Sequence, residues 1–282
     1  MAATAPAPQA ANPLAAYFRA PGISVSLPTS GSFMPEGSIA FDMDGKIRVY
    51  PMTAADELLL KSPDALMSGF AIEQMLRSCV PSISNPRLIA TPDLDVLLLA
   101  VRAASYGEKM EIEVTCPKCN EDSVYDCHLP LVLSTVKELP TEVPVRLSND
   151  VVVYLRPFNL ENSTRIALTT FTEARSMQNS ENMSVEARTK KMNESYLRMS
   201  ALSSSLTADS VLQVAVPGSV VTDRAAIREF MANVPADWTK KIDAALKSLN
   251  EMGLDRTIHA TCTSCSHEFD TELQFDPSSF FA

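Results

Sequence analysis

Apolar residues recur at helical spacing in successive blocks between residues 53 and 107. Thr53 is suited to cap a helix over residues 54–60, and Ser62-Pro63 repeats the pattern of a cap followed by proline. Thr91-Pro92 opens a further helix, which Gly107 ends. The apolar stripes of the last two blocks are Ile72, Met75, Leu76 and Cys79, and then Leu94, Leu97, Leu98, Val101 and Ala104. This spacing predicts a helical N-terminal block with a buried face.

Alternating apolar and polar residues predict two hairpins. One covers residues 38–50, where Asp44-Gly45 separates an alternating run with Ile39 from one with Ile47. The other covers residues 143–157, around a polar turn at residues 148–150. Residues 160–205 have a polar helical pattern, and residues 207–252 are predicted to add shorter helices, of which 223–234 and 236–252 are the clearest.

Two distant segments of the chain repeat one another. Each has an alternating strand ending in Thr, then a Cys-x-x-Cys, a polar turn and a second alternating run; the cysteines are Cys116, Cys119, Cys262 and Cys265. A Cys-x-x-Cys at a strand end forms a tight knuckle that directs two sulfurs to one point, and two knuckles complete a tetrahedral zinc site. Four thiolates leave no open coordination position. The repeat therefore predicts a structural Zn(Cys)4 site.

Other interpretations of these cysteines stay open. Cys-x-x-Cys is also a thioredoxin-like redox motif, although that motif sits where a strand enters a helix and here the strand pattern continues. The pairs could also be metal-free or disulfide-linked, and Cys127, His128 or His267 could replace a ligand. His259 lies inside a predicted strand and is interpreted as a packed or surface residue, whereas Cys79 is interpreted as a buried core thiol.

The repeat and the patterns around it predict the domain organisation. Residues 1–28 are rich in Ala and Pro, with Arg19 as their only charge, and are predicted to form an extended arm that cannot fold alone. Residues 29–130 and 257–282 are predicted to form a core domain with a split zinc ribbon, and residues 131–256 an inserted hairpin and helical subdomain. The predicted fold class is α+β: a helical N-terminal block with a split zinc-ribbon-like β unit, interrupted by a mainly helical insertion with one hairpin.

Composition and charge exclude several function classes. The chain has 282 residues, of which 46% are hydrophobic, and this balance supports a folded core. Its net charge of −10 argues against nucleic-acid binding, and its eight glycines argue against a glycine-cradled nucleotide site. No apolar run approaches the roughly 20 residues of a membrane helix, and the first residues do not match a secretory signal. We therefore expect a chain that is cytosolic at synthesis, where closely spaced cysteines favour metal or redox chemistry.

The sequence shows no catalytic constellation. Gly-x-Ser-x-Gly, His-Glu-x-x-His and phosphate-loop motifs are all missing, and the three histidines lie near the knuckles. Asp93 and Asp95 at a helix start are interpreted as complementing the helix dipole rather than as an acid–base pair. We therefore expect no enzyme activity, and no catalytic or cofactor-binding residues besides the metal ligands.

Several short motifs carry a family resemblance through their order. They are Ser32-Phe33-Met34-Pro35-Glu36-Gly37-Ser38-Ile39, Val49-Tyr50-Pro51-Met52-Thr53-Ala54-Ala55-Asp56-Glu57, Ser62-Pro63-Asp64-Ala65-Leu66, Cys79-Val80-Pro81, Pro92-Asp93-Leu94-Asp95, Tyr106-Gly107-Glu108 and Cys116-Pro117-Lys118-Cys119. Over residues 25–135, and more weakly to the C-terminus, the chain resembles the T4-like bacteriophage baseplate hub assembly protein family. One departure is that a glycine often follows such a Cys-Pro-x-Cys, where this chain has Asn120 and Ser266. Asn tolerates the left-handed backbone there well, and Ser less well.

The resemblance implies a structural component or assembly factor of a contractile-tailed phage baseplate at the central hub, stabilised by structural zinc. The expected partners are other baseplate, hub or tail-tube proteins, reached through the N-terminal arm, with neither nucleic acid nor membrane among them. The expected locations are the virion tail baseplate and, during assembly, the host cytoplasm. Two other hypotheses are a zinc-ribbon nucleic-acid-binding protein and a thiol-disulfide oxidoreductase. The acidic residues around the knuckles, with only Lys118 between them, favour the baseplate hypothesis over nucleic-acid binding.

Overall fold

The computed structural model describes residue 14 and residues 17–178, 183–273 and 280–281. In chain order the elements are β1 (Ile23–Val25), β2 (Ile47–Val49), α1 (Ala54–Leu60), α2 (Pro63–Met67), α3 (Phe70–Cys79), a 3-10 turn (Pro86–Leu88), α4 (Thr91–Tyr106), β3 (Lys109–Thr115), β4 (Asp122–His128), α5 (Leu129–Ser134), β5 (Val143–Arg146), β6 (Val152–Leu155), α6 (Leu160–Gln178), α7 (Val185–Ser210), β7 (Val211–Val216), β8 (Ser219–Val221), α8 (Arg224–Asn233), α9 (Ala236–Glu251), β9 (Thr257–Thr261) and β10 (Glu268–Glu272). This mixture of helices and small antiparallel sheets confirms the predicted α+β class.

Local capping explains why the N-terminal helices begin and end where they do. The backbone N–H of Thr53 donates to Asp56 Oδ2 (2.8 Å) and the N–H of Asp56 donates to Thr53 Oγ1 (3.4 Å), which forms a capping box at the start of α1. Ser62 caps α2 in front of Pro63. Gly107 ends α4 with a φ of 97°, a left-handed conformation that glycine adopts without strain.

Helix α4 lies at the centre of the first hydrophobic core. Six consecutive residues from Val96 to Val101 are buried, so the helix is covered on all sides rather than along one stripe. The β1–β2 pair, α1 and α3 pack around it, and Leu160, Leu254, Leu273 and Phe280 join from later parts of the chain. The predicted N-terminal helical block is therefore confirmed, with a more deeply buried central helix than the apolar stripe alone indicates.

The hairpin predicted over residues 38–50 forms its turn but not its strand pairing. The N–H of Asp42 donates to the carbonyl of Lys46 (2.9 Å) around Asp44-Gly45, as expected. Strand β2, however, pairs with β1, with Val49 opposite Ile23, and Ile39 bridges to Ile83 instead. The prediction was wrong about the partner because pairing with β1 lets both Ile47 and Val49 enter the first core.

Part of the segment predicted as an extended arm packs on this core. Arg19 donates from Nη2 to the carbonyl of Ser78 (2.7 Å) and from Nη1 to the carbonyl of Pro51 (2.5 Å). Val25 and Leu27 are buried in the first core. Residues 1–13, 15 and 16 of the predicted arm lie outside the described residues.

A second hydrophobic core lies between a four-stranded antiparallel sheet and two helices. The sheet has the order β5-β6-β7-β8, and its first two strands are the hairpin predicted over residues 143–157. Helices α8 and α9 cover it with Ile227, Ile242, Leu246 and Leu249. Strands β7 and β8 lie where the sequence predicted shorter helices, so that prediction was wrong for residues 211–221, because Val211–Val216 is a short apolar run without alternation. The missed signal is the turn pair Pro217-Gly218.

Helices α6 and α7 form a long antiparallel pair, called here the helical hairpin, whose inner seam is partly ionic. Arg198 donates to both carboxylate oxygens of Glu173, from Nε at 2.6 Å and from Nη2 at 2.9 Å. Lys191 Nζ donates to the carbonyl of Ser176 (2.5 Å). Most other side chains in the outer part of the hairpin are exposed.

Candidate metal centre

The first knuckle forms where β3 ends. The N–H of Cys116 donates to the carbonyl of Glu121, and the N–H of Asn120 donates back to the carbonyl of Cys116, both at 2.9 Å. Asn120 closes this loop with a φ of 56°, in the left-handed region that Asn tolerates better than most residues. The loop turns Cys116 and Cys119 to the same side, as the Cys-x-x-Cys spacing predicts.

The second knuckle repeats this geometry between β9 and β10. The N–H of Cys262 donates to the carbonyl of His267, and the N–H of Ser266 donates to the carbonyl of Cys262, again both at 2.9 Å. Ser266 has a φ of 55° at the position equivalent to Asn120. The repeat seen in the sequence is therefore a repeat of backbone structure.

The two knuckles bring four sulfurs to one point. The sulfurs of Cys116, Cys119, Cys262 and Cys265 all lie within 4.8 Å of one another. Cys116 Sγ is 3.8 Å from Cys265 Sγ, and Cys119 Sγ is 3.5 Å from Cys262 Sγ. Disulfide sulfurs are about 2.0 Å apart, whereas Zn–S bonds of about 2.3 Å in a tetrahedron place sulfurs about 3.8 Å apart. The spacing of the free thiols therefore fits a tetrahedral thiolate site.

Backbone hydrogen bonds and the neighbouring thiols shift the pKa values of two of these cysteines in opposite directions. A backbone hydrogen bond from Cys265 lowers the pKa of the Cys262 thiol to about 7. The thiol of Cys119 responds differently: a backbone hydrogen bond from Glu121 lowers its pKa, but desolvation and hydrogen bonds with the other three thiols together raise it to about 12. The thiols thus hold one another's protons, which a metal ion must displace because only thiolates bind zinc strongly.

Further contacts hold the two halves of the ribbon together beside the cysteines. Tyr125 on β4 donates its hydroxyl to the carbonyl of Thr261 at the end of β9 (2.6 Å). The hydroxyls of Ser123 and Thr263 are 3.2 Å apart. Each hairpin is a separate two-stranded sheet, so these contacts and the cysteine cluster join two segments with 142 residues between Cys119 and Cys262.

The other candidate ligands lie elsewhere. Cys127 pairs with Met110 at the far end of the β3–β4 hairpin and is buried in the first core, and the neighbouring His128 faces Glu108 at 3.5 Å. The ring of His267 stacks on Phe269 at 6.1 Å between centroids. His259 contacts Asp270 on the surface (2.5 Å), and Cys79 is fully buried in the first core.

Asp93 and Asp95 differ from the interpretation as simple helix-dipole charges. Both are buried, and burial raises the pKa of each carboxyl. Asp93 accepts from the N–H of Thr29 (2.8 Å) and from its hydroxyl, and Asp95 pairs with Arg256. Arg256 directly precedes β9, so the Asp95 pair joins α4 to the second half of the ribbon. An arginine next to a predicted strand was the available signal, but its partner 161 residues away was not predictable.

The outer face of the β3–β4 hairpin is acidic. Glu111 lies opposite Asp126 and Glu113 lies opposite Val124 in the strand register, and all four side chains are exposed. Lys109 contacts Asp126 at 3.0 Å. On the other half of the ribbon, Glu268, Asp270 and Glu272 are exposed. A phosphate backbone is repelled by such a surface, which argues against nucleic-acid binding through the ribbon.

The comparisons with known proteins give one match, and it covers nearly the whole chain. The family described as T4 bacteriophage base plate protein matches residues 21–282. Searches of curated proteins and of solved structures found no significant match. Among the described residues, every helix is too short or too polar to cross a bilayer.

Proposed function

Because the chain belongs to the T4 bacteriophage base plate protein family, we propose that it is a structural component or assembly factor at the central hub of a contractile tail. The family makes it a phage baseplate protein of the virion tail, with other baseplate proteins as its partners, and indicates a structural role. The hub position, contacts through the N-terminal arm with hub or tail-tube proteins, and assembly in the host cytoplasm are parts of the proposal. The observation that carries it is the family match over residues 21–282.

The second part of the proposal is a structural zinc ion held by Cys116, Cys119, Cys262 and Cys265. The four-sulfur cluster supports it through its spacing and its closed donor set. A bound zinc ion supplies a rigid tetrahedral link and, with four thiolates, has no position open for a substrate. The chain's own residues supply the rest, since the knuckle N–H groups orient the loops and Tyr125 fixes one half of the ribbon on the other.

We also propose that residues 131–256 form an inserted subdomain. The second core supports this, because its buried residues, Leu139 to Leu249, all come from within that range. Zinc binding then closes the ribbon outside the insertion and fixes where the insertion leaves the first core and returns to it. In a baseplate protein, such a closure presents the insertion to neighbouring subunits in one orientation.

The experiment that tests the function is quantitative peptide mass spectrometry of purified particles of the encoding phage. We expect peptides of this chain at a small fixed ratio to a known tail protein if it is a built-in hub component. Its presence in infected-cell lysate but not in particles identifies an assembly factor. Its absence from both baseplate intermediates and particles would overturn the proposal.

Metal analysis tests the zinc proposal separately. We expect one zinc per chain in the purified protein and less than one in Cys116→Ser, whereas Cys127→Ala keeps its zinc because Cys127 lies in the first core. Equal zinc in all three proteins would contradict the ligand assignment. Salt-sensitive DNA binding by the wild-type chain would instead support the nucleic-acid hypothesis that the acidic ribbon opposes.

A further inference from the structure

Among the described residues, four arginines converge on the last turn of α7. Arg156 follows β6, Arg165 lies on α6, and Arg224 and Arg228 lie on α8. All four contact Asp209. Arg156 Nε and Arg224 Nη2 donate to its carbonyl, at 3.1 Å and 2.8 Å. Arg228 Nη2 donates to its Oδ1 at 2.9 Å, and Arg165 Nη1 lies 3.5 Å from its Oδ2. Distant parts of the chain thus bring four guanidinium groups to one acidic residue.

Two of these arginines form the inner side of the cluster and cap α7. Basic side chains commonly bond the last carbonyls of a helix, and Arg224 also donates to the carbonyl of Val211. Burial lowers the pKa of Arg156, and the charge of Arg224 lowers it further, while the charge of Asp209 raises it by less. The single carboxylate therefore does not neutralise the positive charge that surrounds it.

The other two arginines form the outer side of the cluster. The side chain of Arg165 is 43% exposed and that of Arg228 is 63% exposed, whereas that of Asp209 is 18% exposed. A guanidinium has five N–H donors, and each of these two uses one nitrogen on the Asp209 carboxylate. Donors remain for a second oxyanion. Asp209 also restrains both long side chains, so that less conformational entropy is lost when they bind a further group.

The cluster has an excess of positive charge in an acidic chain. Four arginines and one carboxylate leave three positive charges, although the whole chain has a net charge of −10. Among the described acidic residues, only Asp209 forms ion pairs with these arginines. Asp223, which precedes α8, instead accepts from the N–H of Ala226 (2.8 Å) and caps that helix. The excess charge is thus available to a ligand.

A second carboxylate that is shared by two arginines shows what is unusual here. Glu73 on α3 contacts Arg77 at 2.9 Å and Arg87 at 2.6 Å, and those two side chains are 45% and 51% exposed. That group has two bases for one acid, an excess of one charge. The cluster at Asp209 has the same outer arrangement, but Arg156 and Arg224 add two charges behind it.

We propose that Arg165 and Arg228 bind a phosphate group, free or as a monoester, on the exposed side of Asp209. Arginine forks pair with two phosphate oxygens at once, and a phosphate dianion cancels two of the three excess charges, whereas a carboxylate cancels one. The bound group bridges α6 to α8 and fixes the base of the helical hairpin on the second core. This inference goes beyond the proposed function, since the site belongs to the isolated chain wherever it sits in the tail.

Equilibrium dialysis of radiolabelled inorganic phosphate against the full, zinc-loaded chain tests the inference. The test variant is Arg165→Gln with Arg228→Gln. The matched control is Arg77→Gln with Arg87→Gln, which removes two similarly exposed arginines from the other shared carboxylate. The single variant Arg228→Gln, at the most exposed of these sites, replaces the test variant if the double change unfolds the chain. Zinc content and far-ultraviolet circular dichroism confirm that each variant is folded.

We expect the wild type and the control to bind one phosphate per chain, and the test variant to bind it about tenfold more weakly or worse. Unlabelled sulfate, also a dianion, should displace the phosphate, and acetate at the same ionic strength should not. Adenosine monophosphate is the second probe: tighter binding than phosphate identifies a monoester as the ligand, and equal binding identifies free phosphate.

Three results would overturn the proposal. The first is a wild type without saturable phosphate binding, and the second is an equal loss in the test variant and the control. The third is displacement by acetate as efficient as by sulfate, which would assign the arginines to carboxylates of a partner protein. Binding of an oligothymidylate, but not of phosphate, through the same arginines would assign them to nucleic acid instead. Particle composition and zinc content are measured separately, so failure here is distinguishable from failure of the proposed function.

Discussion

The α4 core and the split ribbon lie next to each other, yet they are held together by different means. The α4 core buries six consecutive apolar residues of one helix and gathers side chains from several elements around them. The ribbon consists of two two-stranded hairpins, which are marginal on their own in water, and its strands expose charged residues on their outer faces. The difference indicates that apolar burial holds the first region, whereas the second, which reaches the first core only at the ends of its strands, is expected to depend on the cysteine cluster.

Removing the proposed metal link is the change expected to have the largest effect. Structural zinc sites contribute on the order of 10 kcal/mol to folding in small domains, so Cys262→Ser unfolds the ribbon while the α4 core persists. Hydrogen–deuterium exchange should show loss of protection in β3, β4, β9 and β10, with α4 amides still protected. The control is Cys127→Ala, which removes a thiol from the first core and leaves the ribbon protected.

If α4 loses protection together with the ribbon in Cys262→Ser, the two regions form one cooperative unit. The contrast between a region held by apolar burial and a region held by a metal would then be wrong. The Asp95–Arg256 pair is the most direct route for such coupling, because it joins α4 to the residue before β9.

A cavity in the α4 core is expected to have the next largest effect. Leu99 is fully buried, so Leu99→Ala should lower the free energy of unfolding by about 2–5 kcal/mol. The matched control is Leu58→Ala, the same substitution on α1 at a site that is 71% exposed, with an expected change within about 0.5 kcal/mol. Urea denaturation followed by circular dichroism measures both. Zinc content should not change in either variant, and a loss of zinc in Leu99→Ala would mean that the core supports the metal site.

The difference between the two regions also explains how much was predictable from the sequence. Local signals sufficed for the N-terminal helices and for both knuckles, because caps, apolar spacing and Cys-x-x-Cys act within a few residues. The strand partners were harder. Ile47 and Val49 alternate equally well for either neighbour, and only the first core decides that β2 pairs with β1. Strands β7 and β8 were missed because an apolar run without alternation does not distinguish a buried strand from a helix.

The contacts that join the regions lie beyond what one sequence can show. Asp93 and Asp95 lie at the start of a helix pattern, so their helical position was predictable, but their burial was not. Their partners Thr29 and Arg256 are 64 and 161 residues away, and pairings of that separation follow from the packed fold. The spacing of the four sulfurs was predictable only because the motif occurs twice.

A smaller effect is expected from the pH dependence of the stability of the α4 core. Its sign is opposite to that of a carboxylate in an ordinary ion pair. Burial raises the pKa of Asp93 to about 6, although hydrogen bonds from Thr29 oppose this. A carboxyl with a raised pKa stabilises the fold fully below its unfolded value of 3.8, and that stability is lost as pH rises through about 6. Glu173 behaves conversely, since its hydrogen bond from Arg198 lowers its pKa to about 2.

The variant Asp93→Asn isolates the contribution of Asp93 to the pH dependence of stability. The free energy of unfolding of the wild type relative to the variant should rise by on the order of 2 kcal/mol as pH falls from neutral towards 4. Both proteins lose metal to acid in the same way, so the difference between their urea unfolding curves reports on Asp93. A difference that stays constant with pH would mean that Asp93 is ionised in the fold.

The smallest expected effect is a difference in backbone strain between the two halves of the ribbon. Asn120 and Ser266 occupy equivalent left-handed positions, with φ values of 56° and 55°. A left-handed conformation costs most residues about 1–2 kcal/mol, and Asn much less. Glycine removes that cost but adds about 0.4–1 kcal/mol of entropy to the unfolded chain. Ser266→Gly should therefore stabilise the ribbon by about 0.5 kcal/mol, while Asn120→Gly should leave it unchanged or slightly weaker.

Competition with a chelator for zinc measures this difference more sensitively than global unfolding, because both loops close directly on the proposed metal site. A slower release of zinc from Ser266→Gly than from the wild type, with no gain in Asn120→Gly, would show that the second knuckle is the strained half. If zinc release slows equally in both variants, backbone strain is shared between the knuckles. The residue type then does not distinguish them. In that case, the two halves of the ribbon would differ only in what they contact: β3–β4 the end of α4, and β9–β10 its buried Asp95 through Arg256.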